Sequence, residues 1–464
     1  MSAGVLLPGF AGTELPAWLE ARLRTGLAGV CLFGENIVSR AQVRALTDAI
    51  RAANPRALIA IDEEGGDVTR LYYATGSPYP GNALLGRIGD LGLTGEVAAT
   101  VARELRAVGV NLNFAPDADI NSNPDNPVIG VRSFGADPER VSAQVAAWVA
   151  AHQAEGVAVS AKHFPGHGDT AQDSHLALPV VDLPLETLRE RELRPFLAAI
   201  QAGARTIMTS HVLLPQLDAE RPATFSQDIL DGVLRGELGF EGVIVSDALD
   251  MAGASGETGI PAAAVRAVAA GCDLLCIGTR NTDEQLDEII AALDAAIADG
   301  SLPAARLDEA VARNHALAAA LAAPSGALDA PEPAFDLDRA IAAFDVAEGL
   351  VLEPGAPIFT LETTANIAIG QAPWGPAAAG AEVTALYEGD ELPATAVPPV
   401  LVGRDNHRRP WVRDLVDRAR QEHPALVVVD MGWPSDDLAY ADIATFGASR
   451  YVGAALLRLL GGAS

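Results

Sequence analysis

Eight short apolar runs recur up to residue 278, each separated from the next by a longer stretch, and most of these stretches carry helical spacing. They are VLLP (5–8), GVCLFG (29–34), ALIAID (57–62), VNLNFAP (110–116), VAVSAKHF (157–164), TIMTSH (206–211), GVIVSD (242–247) and CDLLCIG (272–278). Between them lie amphipathic stretches such as SRAQVRALTDAIRAA (39–53) and DPERVSAQVAAWVAAHQAEG (137–156). Parallel strands cannot be joined by tight turns; each pair needs a crossover, and right-handed helical crossovers satisfy that need. The pattern predicts an α/β fold: a (β/α)8 TIM-like barrel over residues 1–322, with an open doubly wound sheet as the competing arrangement. A Pro-, Ala- and acid-rich linker is expected at 323–336, and a smaller α/β sandwich-like domain at 337–464. In that second domain ANIAIG, PVLVG and ALVVVDMGWP read as strands, and RPWVRDLVDRARQEH and SRYVGAALLRLLGG as helices.

Polar groups gather at the C-terminal ends of the barrel runs: Asp62, Lys162 with His163, His211 and Asp247. In a barrel these ends surround one mouth, so residues far apart in sequence become neighbours where active sites form. The charge balance narrows the partners. With 61 acidic against 32 basic residues the formal charge is −29, which repels nucleic acid and anionic lipid. The N-terminus lacks the pattern of a secretory signal and no run is long enough to span a bilayer. Cys31, Cys272 and Cys276 all lie in apolar runs, where buried, reduced thiols are expected. A cytoplasmic location is the expectation that follows.

The stretch AKHFPGHGDTAQDSHLALP (161–179) carries three of the eight histidines. Gly166 and Gly168 allow backbone turns and Pro165 stiffens the entry. Asp173, two residues before His175, can pair with it, set its tautomer and raise its pKa, yielding a proton donor near neutral pH. Asp247 closes a strongly apolar run, where a carboxylate can act as a nucleophile, bind a metal or support a base. The absence of any His-x-His pair speaks against a barrel metallohydrolase, so no metal or organic cofactor is expected.

The motifs IDEEGGDVTRL (61–71), RSFGADP (132–138), KHFPGHGDTAQDSH (162–175) and SDALDM (246–251), in this order, resemble glycoside hydrolase family 3 in its β-N-acetylglucosaminidase branch. The resemblance covers the first 320 residues well and the second domain more loosely. It implies a retaining exo-β-N-acetylglucosaminidase acting on muropeptide fragments or chitooligosaccharides, as in cell-wall recycling. Asp247 would be the nucleophile, and His175, paired with Asp173, the acid/base. Asp62, Arg70, Arg132, Lys162 and His163 would hold the sugar beside the cleaved bond. His167 is left with support of the loop. The chain departs from the family where a second aspartate often follows the nucleophile; here that residue is Ala248. Neutral imidazole does not repel phosphate, so a β-N-acetylglucosaminide phosphorylase stays open beside the hydrolase, as does a dual β-glucosidase. An inactive sugar-binding barrel is the reading from another class. The aglycone, the oligomeric state and the role of the second domain stay open.

Overall fold

The computed structural model describes residues 2–174, 178–256, 258–353, 355–363 and 366–461. The chain forms two compact units. The first comprises Met1–Glu63, Leu91–Ile120 and Asp137–Ala330; the second comprises Glu64–Asp90, Asn121–Ala136 and Pro331–Ser464. The second unit's longest segment thus begins inside the expected linker. That unit also takes in the two chain segments that follow the third and fourth strands, which a single boundary along the sequence does not contain.

Eight parallel strands build the first unit: β1 (Leu6–Pro8), β2 (Gly29–Leu32), β3 (Leu58–Ile61), β4 (Leu112–Asn113), β5 (Ala158–Phe164), β6 (Thr206–Thr209), β7 (Val243–Ser246) and β8 (Leu274–Gly278). Each of the eight expected runs contains one of them. The sheet runs β1-β8-β7-β6-β5-β4-β3-β2, and β1 and β2 approach each other at its ends, so the barrel is nearly closed. The helices begin where their caps predict. Ser39 accepts from the Gln42 N–H ahead of Arg40–Ala53, and Asp137 accepts from Arg140 ahead of Pro138–Ala154, where proline is the first helical residue.

One apolar cluster takes residues from every strand: Leu7, Cys31, Leu58 and Ala60, Leu112, Ala158, Met208, Val243 and Val245, Leu274 and Cys276. Where a strand contributes two, they are two apart. Side chains of all eight strands can meet only inside the barrel, and the two-residue repeat of a strand makes the next inward positions predictable. All three cysteines are free and buried. Among the described residues no helix is long and apolar enough to cross a membrane.

At the opposite end of the strands, Asp273 is fully buried just before β8. Its Oδ2 accepts from Arg235 at 2.6 Å and from the Ile244 N–H at 3.0 Å, and its Oδ1 accepts from Arg306 at 2.5 Å and Arg313 at 3.2 Å. This carboxylate ties the N-terminal ends of β7 and β8 to the segments around them.

The second unit has its own sheet of β9 (Asp345–Val346), β10 (Ile358–Leu361), β11 (Thr384–Leu386), β12 (Val400–Gly403), β13 (Val427–Asp430) and β14 (Ile443–Ala444). The order is β11-β10-β12-β13-β14-β9, parallel except for β9 against β14. Val400, Val402, Val427 and Val429 pack with the helix Arg450–Leu459, whereas Leu401, Val428, Phe359 and Leu361 pack with Pro410–Glu422. Alternate residues of the same strands thus face helices on both sides, an α/β sandwich.

One expected strand is absent. In ANIAIG, residues 366–370 form turns, because Asn366 Oδ1 accepts from the Ile369 N–H at 2.9 Å and its carbonyl from the Gly370 N–H at 3.1 Å. An asparagine that bonds its own backbone competes with a sheet ladder, and Ile367 is left 58% exposed. The strands in this region are β10, before it, and β11, after it.

Replacing Asp273 with Ala leaves three arginines without their shared carboxylate. Urea denaturation should show a loss of about 3–5 kcal/mol, the usual cost of removing one partner from a buried ionic cluster.

Candidate active site

The site starts from the pleat. Counting by two from the inner-facing residues of β3, β5 and β7 leads to Asp62, Lys162 and Asp247. Asp62 and Asp247 lie one step beyond the apolar layer, just past the ends of β3 and β7, and Lys162 lies two steps beyond Ala158, past Ser160, in the second half of β5. Lys162 is buried, and its Nζ donates to Asp62 Oδ1 at 2.7 Å across the intervening strand β4. Asp247 is partly exposed; its N–H donates to Thr209 Oγ1 at 3.4 Å, and its own Oδ1 accepts from the Ala248 N–H at 2.8 Å.

β5 does not keep a regular ladder here. Its register against β6 shifts between Ala161 and Phe164. Through this break in register the successive residues Lys162 and His163 both turn to partners that follow β3 and β4. His163 Nδ1 lies 2.7 Å from Asp119 Oδ2. Asp119 is buried, and its Oδ1 also accepts from the backbone N–H of His167 at 2.7 Å. Burial pushes this carboxyl up, but the charge and hydrogen bond of His163, followed by those of His167, outweigh it and hold it below the usual carboxylate value. Asp117 is buried beside it, accepting from the Asp119 N–H at 2.9 Å. Asp117, Asp119 and His163 bring ligand atoms within 4.8 Å of one another, close enough in principle for a cation. The 2.7 Å His163–Asp119 contact gives that closeness an ordinary cause.

His167 supports the loop from within. Its Nδ1 pairs with Thr170 Oγ1 at 2.8 Å and its Nε2 with Ser174 Oγ at 2.9 Å. Burial lowers its pKa to about 4, against the opposing charge of Asp119, so it is a neutral strut at ordinary pH. Gly168 is needed at its position: a Cβ there would lie 1.6 Å from the Ile120 carbonyl oxygen. The Ser174 carbonyl accepts from the Gly253 N–H at 3.3 Å, which joins this loop to the segment following Asp247. His211 serves the same segment. Its Nε2 lies 3.0 Å from the Ala248 carbonyl and its Nδ1 2.9 Å from Thr224 Oγ1. Ala248 itself packs against the inner apolar cluster of the barrel.

Asp173 is partly buried in the same loop, and His175 lies outside the described residues. Arg70 and Arg132 belong to the second unit. There Arg132 makes a two-pronged pair with Glu64, Nε to Oε2 at 3.0 Å and Nη2 to Oε1 at 2.7 Å, and Arg70 donates to the Ala368 carbonyl at 2.8 Å. Both arginines are nearly buried, which presents their guanidinium groups in fixed orientations.

Asp117 and Asp119 are absent from the residues expected at the mouth, although DAD (117–119) follows the fourth apolar run directly. The signal was their place at a strand end, the same that marks Asp62 and Asp247.

The family model described as "Glycosyl hydrolase family 3 N terminal domain" matches residues 15–317. A beta-hexosaminidase of Stenotrophomonas maltophilia (strain R551-3) is 41% identical over 283 residues, 59% of this chain and 83% of that protein. Beta-hexosaminidase A of Pseudoalteromonas piscicida is 38% identical over 330 residues, 65% of this chain, but the match spans only 55% of that longer protein. Among solved structures, a glycoside hydrolase family 3 beta-N-acetylglucosaminidase from Paenibacillus sp. str. FPU-7 superposes with a TM-score of 0.87 at 31% identity, covering 100% of this chain and 96% of that one. A beta-glucoside phosphorylase at 22% identity and TM-score 0.79 shares the fold. The matched span, from the first helix through the last barrel element, is where the strand ends and their acidic residues lie, and by it the chain belongs to glycosyl hydrolase family 3.

Proposed function

We propose that this protein is a retaining exo-β-N-acetylglucosaminidase that removes terminal N-acetylglucosamine from muropeptide fragments or chitooligosaccharides. One observation carries the reading. Asp247 directly follows β7, one step above the apolar interior, and the chain beyond it is bonded through the Gly253 N–H to Ser174 in the loop that follows β5, the strand on which Lys162 pairs with Asp62. A carboxylate, a loop and an ion pair thus converge at one mouth.

Each group has a task that its chemistry allows. Asp247 attacks the anomeric carbon as the glycosidic bond breaks, and His175, aligned by Asp173, gives its proton to the departing oxygen. Water then attacks the same carbon, its proton returns to His175, and the bond to Asp247 breaks, restoring the original configuration. Asp62 accepts from sugar hydroxyls while Lys162, His163, Arg70 and Arg132 donate to sugar oxygens. A cytoplasmic role in recycling cell-wall fragments fits three buried free thiols and an acidic chain with little affinity for anionic surfaces.

The direct test is release of nitrophenol from the aryl β-N-acetylglucosaminide with and without phosphate, with products identified. Free N-acetylglucosamine in both buffers is expected; N-acetylglucosamine 1-phosphate as the product would replace the hydrolase by a phosphorylase. Asp247→Asn should lower kcat by roughly 10³-fold or more while calorimetry still detects sugar binding. A sugar binder without catalysis would show no turnover to lose. His175→Ala should slow substrates with poor leaving groups far more than activated aryl glycosides, since only the former need the proton. Equal losses on both would remove His175 from the acid role.

A further inference from the structure

Beneath the loop that follows β5 lies a carboxyl with no task in the reaction above. Glu192 closes the helical turn Leu188–Glu192 and is 2% exposed. Its Oε1 accepts from Arg191 Nε at 2.6 Å, and the same guanidinium reaches Asp169 Oδ2 through Nη2 at 2.6 Å, joining this turn to the loop. Its Oε2 is buried and has no hydrogen-bond partner among the described residues. Gly166 rests directly on it. With φ at +132°, and with a Cβ that would stand 2.8 Å from Oε2 and 3.0 Å from the Glu192 Cβ, this position accepts only glycine.

We infer that Glu192 is a positioning residue for the sugar-holding loop: as a neutral carboxyl it seats Gly166 and so His163 and His167 against Asp119, and on ionisation it displaces them. The inference rests on the reading that Lys162 and His163 hold the sugar. The charged groups facing Glu192 are Arg191 alongside it, Asp169 from the loop and Asp119 from the segment after β4. Burial, opposed by Arg191 and reinforced by the two aspartates, raises its pKa to about 7. A carboxyl whose folded value exceeds its unfolded one retains a proton that the unfolded chain has already released. Its contribution to stability is therefore complete in acid and is lost as the pH rises through about 7.

The kinetic test uses a dinitrophenyl β-N-acetylglucosaminide, whose leaving group needs no proton, so that titration of the acid/base does not shape kcat/KM. The wild-type value should fall about tenfold between about pH 6 and 9, mainly through KM. Glu192→Gln should match the wild type within about twofold at the lower pH and stay flat above it, while Glu192→Ala should be impaired throughout. An unchanged alkaline limb in the Gln variant, or a Gln variant as impaired as Ala at low pH, would overturn the inference. Amide exchange across residues 163–169, corrected for its intrinsic pH dependence, needs no substrate. It should quicken at alkaline pH in the wild type and not in Glu192→Gln. Exchange indifferent to pH or to the substitution would overturn the inference. A protein silent on the glycoside but showing this exchange difference would overturn the substrate reading and leave the role of Glu192 as loop support standing.

Discussion

The pleat of a strand in a closed sheet is the constraint on which this molecule depends. Inside the barrel, alternate residues of eight strands fill one another's gaps with small and medium apolar groups, Ala60, Ala158, Cys31 and Val245 among them. That layer excludes water and carries the burial energy. The same two-residue repeat, continued one step past that layer on β3 and β7 and two steps on β5, turns polar residues inward. At β3, β5 and β7 those residues are Asp62, Lys162 and Asp247. Stability and chemistry are therefore read from one periodicity, with the changeover set by where each strand leaves the sheet. The far end of the barrel does the opposite work: Asp273 and its three arginines make no opening and serve to hold strand starts in place.

Above the apolar layer, order is carried by hydrogen bonds. Asp119 accepts from a side chain and from backbone, and its ionised state lets one carboxylate hold both His163 and the turn at His167. His167 passes that order to Thr170 and Ser174, and Ser174 to the segment beyond Asp247. A buried histidine kept neutral can donate at one nitrogen and accept at the other, which suits a strut between two hydroxyls. Ala248 illustrates the same economy of parts. With no side-chain oxygen of its own, it contributes its methyl group to the apolar cluster and its carbonyl to His211.

The second unit repeats the logic of alternation in an open sheet. Its strands are apolar on both faces because helices cover both. Its membership is less expected: the segments after β3 and β4, which carry Arg70 and Arg132, are counted with it. Chain order and compact packing are different partitions, and a loop goes with whichever core buries its side chains.

Much could be read from the sequence alone. The eight runs and their helical spacers specified parallel strands joined by helical crossovers, because parallel strands leave the chain no shorter route; their number favoured the barrel over an open sheet. The polar residues at the ends of the runs, Asp62, Lys162, His163 and Asp247, marked the mouth. These are local signals, written within a few residues. What required the tertiary structure was every choice between distant partners. That Lys162 meets Asp62, that Asp119 holds His163, that Glu192 lies under Gly166 and that three arginines share Asp273 depend on which strands are neighbours and how the ladder shifts within β5. ANIAIG shows the same limit from the other side: its composition suits a strand, but the Asn366 side chain and Gly370 close a turn before any neighbour can pair with it. Periodicity determines which face a residue joins; only the packed chain decides what it meets there.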